Sequence, residues 1–221
     1  LKGLAFSAAA NARRRLVVST IEHPATLETA SALRRFGFEP TQAGVDRRGV
    51  LDLAQLEHAL ATPTLVVRLM HANNETGAVQ PVAAAATLAH RVGALLHVDA
   101  AQSAGKISVD VAALGADLLT LAGHKLYAPK GVGALYVRSG VALEPFIHGA
   151  GQESGRRAGT ENVPYIVALG PACPKLVLRP STAFTRCSYR AVRSKRRLKA
   201  SSCATELAAT CSTCAWPAHL P

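Results

Sequence analysis

Long hydrophobic runs, aromatic residues and cysteines are scarce through most of this 221-residue chain. No apolar stretch reaches the roughly 20 residues that cross a bilayer as a helix, so no membrane span is expected. The opening residues, Leu1-Lys2-Gly3-Leu4-Ala5-Phe6, show neither an initiator Met nor the layout of a signal peptide. A cytoplasmic protein whose N-terminus lies further upstream is the expectation. Aromatic residues make up 5% of the chain, which leaves little for stacking on nucleic-acid bases. No cysteine precedes Cys173, so everything before it lacks both a disulfide and a thiol nucleophile. No internal repeat is visible.

Apolar residues at 49% are enough for the core of one large α/β domain, or of one domain with an appendage. The net charge of +11 points to nucleic acid only until it is divided along the chain. Through Gly170, 16 Lys/Arg stand against 13 Asp/Glu; from Pro171 to Pro221 the counts are 9 and 1. That last stretch also holds all five cysteines (Cys173, Cys187, Cys203, Cys211, Cys214) and the single Trp216. Two compositions divide the chain into a domain over 1–170 and an atypical tail over 171–221.

The tail has no sustained period. Its basic run from Arg190 to Lys199 suits an acidic surface, but only Tyr189 adjoins it as a stacking residue, and no nucleic-acid partner is expected. Cys211-Ser212-Thr213-Cys214 has redox or metal-ligand spacing, with His219 nearby. It occurs once, however, and zinc sites use two such pairs or added histidines, so no metal site is expected. The abrupt change in charge, cysteine and proline usage is the mark of a disordered segment or of a GC-rich gene read in a shifted frame. The nucleotide sequence past codon 170 checks the second idea: an alternative frame should restore a regular, apolar-spaced continuation.

Up to Gly170 short β-rich runs alternate with helix-period segments, the pattern of βαβ units and a mostly parallel sheet. Strands are predicted over 15–20, 65–70, 94–98, 117–121 and 132–137. Helices are predicted over 25–36, stopped by Gly37, over 52–60, and over 81–91, with Pro81 where a missing N–H costs nothing. A polar, glycine-rich loop follows from Gly149 to Asn162, long enough to line a site or reach a neighbouring subunit.

Two strand ends carry the chemistry. Asp117 to Leu121 leads into Ala122-Gly123-His124-Lys125, and Ala94 to Val98 leads into Asp99-Ala100-Ala101-Gln102. Buried parallel strands deliver functional groups at their carboxyl ends. A lysine there can form an imine with an aldehyde cofactor, and an aspartate on a neighbouring strand can hold a pyridine nitrogen in its protonated form. The pair points to pyridoxal phosphate. Each residue also has a plainer reading. Lys125 can be a solvated strand end, Asp99 a turn former, His23 a loop residue, and His71 or His97 a satisfied core histidine. Asn73-Asn74 can shape a turn, and Arg156-Arg157 can be a solvated patch.

Five motifs stand in one order: Thr20-Ile21-Glu22-His23-Pro24-Ala25, Met70-His71-Ala72-Asn73-Asn74-Glu75-Thr76-Gly77, Val98-Asp99-Ala100-Ala101-Gln102, Gly123-His124-Lys125, and Arg156-Arg157-Ala158-Gly159-Thr160-Glu161-Asn162. Their order and spacing resemble the cysteine desulfurases of the NifS/IscS type, in the class V aminotransferase family. The resemblance runs from Leu1 to about Gly170. It implies the large domain of a fold-type-I pyridoxal phosphate enzyme, a mostly parallel sheet flanked by helices. It further implies that Lys125 binds the cofactor covalently and moves the substrate α-proton, and that Asp99 pairs with the ring nitrogen. His23 would stack on the ring and take part in proton transfer. Gln102 would bond the phenolic oxygen, with Asn74 close by. His124 would contact the phosphate, and Thr160 would reach the phosphate of a partner subunit in a homodimer. The implied reaction converts L-cysteine to L-alanine and passes sulfur, as a persulfide, to an acceptor such as an iron–sulfur scaffold. Selenocysteine lyase shares two of the motifs, and a catalytically inactive fragment is the rival from another class.

The same resemblance marks what is missing. Leu1 to Ala5 resembles the helix that follows the family's phosphate loop, which would lie upstream. Ala122 replaces the usual Ser or Thr before Gly-His-Lys. The persulfide thiol should lie on a loop of a later small domain. Cys203 sits in a superficially similar Ser-rich setting but comes too soon after Lys125, so the activity is expected to be incomplete in this chain.

Overall fold

The apolar runs become strands and the periodic segments become helices in the computed structural model, which describes residues 1–8 and 13–173. In chain order the elements are α1 (Lys2–Ser7), β1 (Arg15–Ser19), α2 (Pro24–Leu33), β2 (Glu39–Ala43), α3 (Leu53–Ala59), β3 (Thr64–Met70), α4 (Val82–Arg91), β4 (Leu95–Asp99), β5 (Leu118–Ala122), β6 (Gly133–Val137) and α5 (Val163–Ala172). The strands form one sheet in the order β2-β1-β3-β4-β5-β6. All pairings are parallel except β5 with β6, which is antiparallel.

Strand alternation divides the core into two layers. Val67, Leu69, Leu96, Val98, Leu119 and Leu121 face a cluster that includes Val82, Ala85, Ala86 and Ala89 of α4. Leu16, Val66 and Leu118 face the other way, against Leu4 and Ala5 of α1 and Leu33 at the end of α2. Burial on both sides explains why all seven residues of β3 are buried. Arg68 is two residues on from Val66, so it points into the α1/α2 layer. By the same alternation so do Asp99 and His97 of β4 and Thr120 of β5.

Local sequence sets most boundaries. Asp52 caps α3 by accepting from the N–H groups of Ala54 and Gln55. The helix predicted over 25–36 continues from α2 as a 3-10 turn, Arg34–Phe36, and stops at Gly37 in the left-handed region. Strand β2 was not expected, because Glu39-Pro40-Thr41-Gln42 has no apolar run. It lies at the sheet edge, where a polar strand carrying Pro is tolerated. The β5–β6 pair packs too closely for side chains at two positions. A Cβ on Gly133 would lie 2.6 Å from the Leu121 carbonyl oxygen, and one on Gly123 2.6 Å from that of Val132.

At the amino end of β5, Asp117 forms a buried clasp. It accepts from the Leu96 N–H at 2.6 Å and from Arg138 Nε at 2.6 Å, and lies 2.9 Å from His90 Nε2. Among the described residues no helix is long and apolar enough to cross a membrane. The expectations for Cys187, Cys203, Cys211, Cys214, His219 and the basic run concern positions outside the described residues.

Candidate active site

Parallel topology brings the ends of β1, β3, β4 and β5 to one edge of the sheet. His23 follows β1, Asn74 follows β3, Asp99 closes β4 with Gln102 just beyond, and β5 runs directly into a 3-10 turn, Gly123–Lys125, carrying His124 and Lys125. Thr160 lies in the loop between β6 and α5. The side chains of Asn74, His124, Lys125 and Thr160 are exposed and make no hydrogen bond or ion pair among the described residues. A free amine, an imidazole and an amide therefore stand on the carboxyl edge without structural partners.

Other members of the set do double duty. His23 caps α2: its Nδ1 accepts from the Ala25 N–H at 3.1 Å, so in the neutral ring the proton sits on Nε2. Gln102 Oε1 accepts from Lys106 Nζ at 3.1 Å, leaving its amide N–H groups free to donate. Asp99 Oδ1 accepts from the Ala101 N–H at 2.9 Å, the turn-forming role weighed for it, while its Oδ2 pairs with Arg68. Asn73 shapes the loop after β3, its Oδ1 accepting from the N–H groups of Glu75 and Thr76. His71 is the satisfied core histidine expected, 3.0 Å from Ser103 Oγ, and burial lowers its pKa.

Beneath this edge lies a buried ionic cluster centred on Arg68, a residue to which the sequence reading gave no role. Its Nη2 donates to Asp99 Oδ2 at 2.8 Å, and its Nη1 contacts His97 Nε2 and lies 3.4 Å from Thr120 Oγ1. An arginine nitrogen only donates, so His97 Nε2 accepts and its proton resides on Nδ1. Burial, reinforced by the Arg68 charge, holds the His97 pKa well below its ordinary 6.5, and the ring is neutral. On the other side, Glu22 Oε1 accepts from Ser19 Oγ at 2.7 Å and from the Met70 N–H at 2.6 Å.

Glu22 Oε2 lies 3.8 Å from Arg68 Nε, within ion-pair range but too far for a hydrogen bond, and both atoms are buried without one. Desolvation outweighs this loose pairing and raises the Glu22 pKa to about 7. A charged residue in the run Leu65-Val66-Val67-Arg68-Leu69-Met70 was the available signal. A buried arginine needs carboxylate or other acceptor partners, and the neighbouring strand ends supply them.

Residues 3–178 match the aminotransferase class V family. The chain belongs to that family. Among curated relatives, a cysteine desulfurase IscS of Dictyoglomus turgidum is 43% identical over 178 residues, covering 80% of this chain and 45% of its own length. A cysteine desulfurase of Gluconacetobacter diazotrophicus is 50% identical over 161 residues, covering 72% of this chain and 40% of its own. This class V chain thus spans less than half the length of those relatives. Among solved structures, a NifS-like protein superposes with a TM-score of 0.74 at 41% identity, over 78% of this chain and 48% of its own. SspA, solved in complex with cysteine, gives 0.74 and 41% over 82% and 52%. The fold is accordingly that of the large domain of fold-type-I pyridoxal phosphate enzymes, as the motifs implied. The family match runs a little past Gly170, where the motif resemblance ends.

The donor set suits that cofactor. An exposed primary amine can bind an aldehyde, and a carboxylate that keeps 15% of its side chain accessible can reach a ring nitrogen. A free amide N–H and two imidazoles complete the set along the same edge.

Proposed function

We propose that this chain is the large, cofactor-binding part of a pyridoxal phosphate-dependent cysteine desulfurase. The observation that carries the reading is the delivery of Asp99 and Lys125 by adjacent strands to one edge of the family's sheet. Relatives at 43–50% identity bear the cysteine desulfurase name. When bound, pyridoxal phosphate supplies an electron sink for charge developing at the substrate α-carbon.

The protein's own residues divide the remaining work. Lys125 Nζ would hold the aldehyde carbon in the resting protein and, once displaced from it by the substrate amine, would move the proton at the substrate α-carbon. Asp99 keeps the proton on the ring nitrogen. Gln102 donates to the phenolic oxygen, with Asn74 beside it. His23 covers the ring and, with Nδ1 tied to the helix, moves protons through Nε2. His124 binds the phosphate, and Thr160 binds that of the partner in a cytoplasmic homodimer. The substrate is L-cysteine and the products are L-alanine and sulfur carried as a persulfide to an acceptor such as an iron–sulfur scaffold.

The large domain ends near Gly170 in this reading, and the tail belongs to none of the chemistry. Cys173, the one cysteine among the described residues, is half-buried at the end of α5, and burial raises its thiol pKa. That is the opposite of what a sulfur-accepting thiolate needs. Sulfur transfer therefore needs a thiol outside the described residues.

Pyridoxal phosphate added to the purified chain tests the reading. We expect a visible absorption band from the cofactor bound to lysine, absent in Lys125→Ala, and little alanine released from L-cysteine by this chain alone. Equal absorbance in the two proteins would refute the assignment of Lys125.

A further inference from the structure

We propose that Arg68 is a positioning residue that sets Asp99 for the ring nitrogen of the cofactor; this rests on the pyridoxal phosphate reading above. A carboxylate offers about four lone-pair sites. Asp99 spends one on the Ala101 N–H and one on Arg68 Nη2, each carboxylate oxygen being held from the protein side. With both oxygens tethered, the side chain cannot rotate, and its remaining lone pairs are left for the accessible carboxyl edge.

Arg68 is itself fixed. It is 6% exposed, its Nη1 is lodged between His97 and Thr120, and Glu22 stands on its far side. The neutral His97 accepts from Arg68 and does not compete as a cation for Asp99. The guanidinium charge does oppose a protonated ring nitrogen. A nitrogen in hydrogen-bond contact with Asp99 would sit closer to the carboxylate than to the cation, however, and attraction wins because Coulomb energy falls with distance. Without Arg68, Asp99 would keep one backbone tether and lose its only cationic partner among the described residues, leaving it free to turn from the site.

The test compares pyridoxal phosphate with a carbocyclic analogue in which C–H replaces the ring nitrogen, titrated into the full chain and followed by the absorbance of the bound ligand. A purely structural loss weakens both ligands equally; a loss at the ring nitrogen weakens only the first. The wild-type chain should prefer pyridoxal phosphate by about tenfold, the effect of one charge-assisted hydrogen bond. Asp99→Asn should bring that preference close to one. Arg68→Met should reduce it about three- to tenfold while affinity for the analogue holds. Arg68→Lys keeps a cation in the sheet but cannot span Asp99 and His97 together, so its preference should also fall, and it carries the test if the Met variant does not fold. A wild-type preference ratio in either folded variant, or an equal weakening of both ligands, overturns the role of Arg68 and leaves the cofactor reading standing. Failure of the wild-type chain to bind either ligand overturns the cofactor reading, and this proposal with it.

Discussion

Replacing Glu22 with Gln should make the chain more stable at neutral and alkaline pH while leaving it nearly unchanged under acid conditions. The Glu22 side chain is 0% exposed, and its pKa is raised from 4.5 to about 7. A raised carboxyl pKa means that the folded state holds a proton the unfolded state has released. The stabilisation is fully present below about pH 4.5 and is lost as pH rises through about 7. At about 1.4 kcal/mol per pH unit, the difference across that window is about 3 kcal/mol. Gln resembles the neutral acid: its amide oxygen can accept from Ser19 Oγ and the Met70 N–H as Glu22 Oε1 does.

His71 and His97 complicate the raw pH profile, because burial depresses both. Their stabilisation is present above their ordinary pKa and is lost as pH falls, a slope opposite to that of Glu22. Subtracting the wild-type curve from the Glu22→Gln curve cancels their terms. Urea unfolding at about pH 4 and about pH 8 should give a difference near zero at the lower pH and about 3 kcal/mol in favour of Gln at the higher. In melting temperature that is about 6–12 °C for a chain of this size. A difference that stays flat with pH would mean that Arg68 keeps Glu22 ionised throughout, and the argument that desolvation wins would be wrong.

Asp117→Ala should cost about 2–4 kcal/mol in urea unfolding, because the buried Leu96 N–H loses its acceptor, whereas Arg138 and His90 are half-exposed and recover water; a loss below about 1 kcal/mol would deny the clasp its role. Gly133→Ala should cost about 1–3 kcal/mol and should weaken cofactor binding, since its Cβ would meet the Leu121 carbonyl oxygen in the strand that leads to Lys125. Wild-type stability and affinity in that variant would show that β6 moves aside freely.

What the sequence made legible follows from which signals are local. The alternation of β and α segments and the strand ends bearing Asp99 and Lys125 are written in short runs and lie where expected, while Asp52, expected as the first residue of a helix, is its cap. Strand β2 was invisible because an edge strand need not be apolar, and only its pairing with β1 defines it. A structural role leaves room for a second one at two of the proposed site residues. His23, read plainly as a loop residue, caps a helix, and Asp99 forms a turn at the end of its strand. The missed residue was Arg68. Its significance depends on three strands lying side by side, a long-range fact that no window of sequence contains.

The two buried clusters address one mechanical problem. Side chains alternate faces along a strand, so a slip of one residue between β3 and β4 would turn Asp99 away from the layer it shares with Arg68, and a slip between β4 and β5 would do the same to Thr120. Asp117 ties the start of β5 to the Leu96 N–H of β4, and Thr120 ties its middle to His97, with Oγ1 2.8 Å from Nε2. Arg68 extends the second tie to β3. Directional polar side-chain contacts thus hold β4 to β5 at two heights and β3 to both at one, alongside the backbone ladder. Buried charge is a poor source of net stability. Its use here is to hold the strand ends level, which a site assembled from separate strands requires.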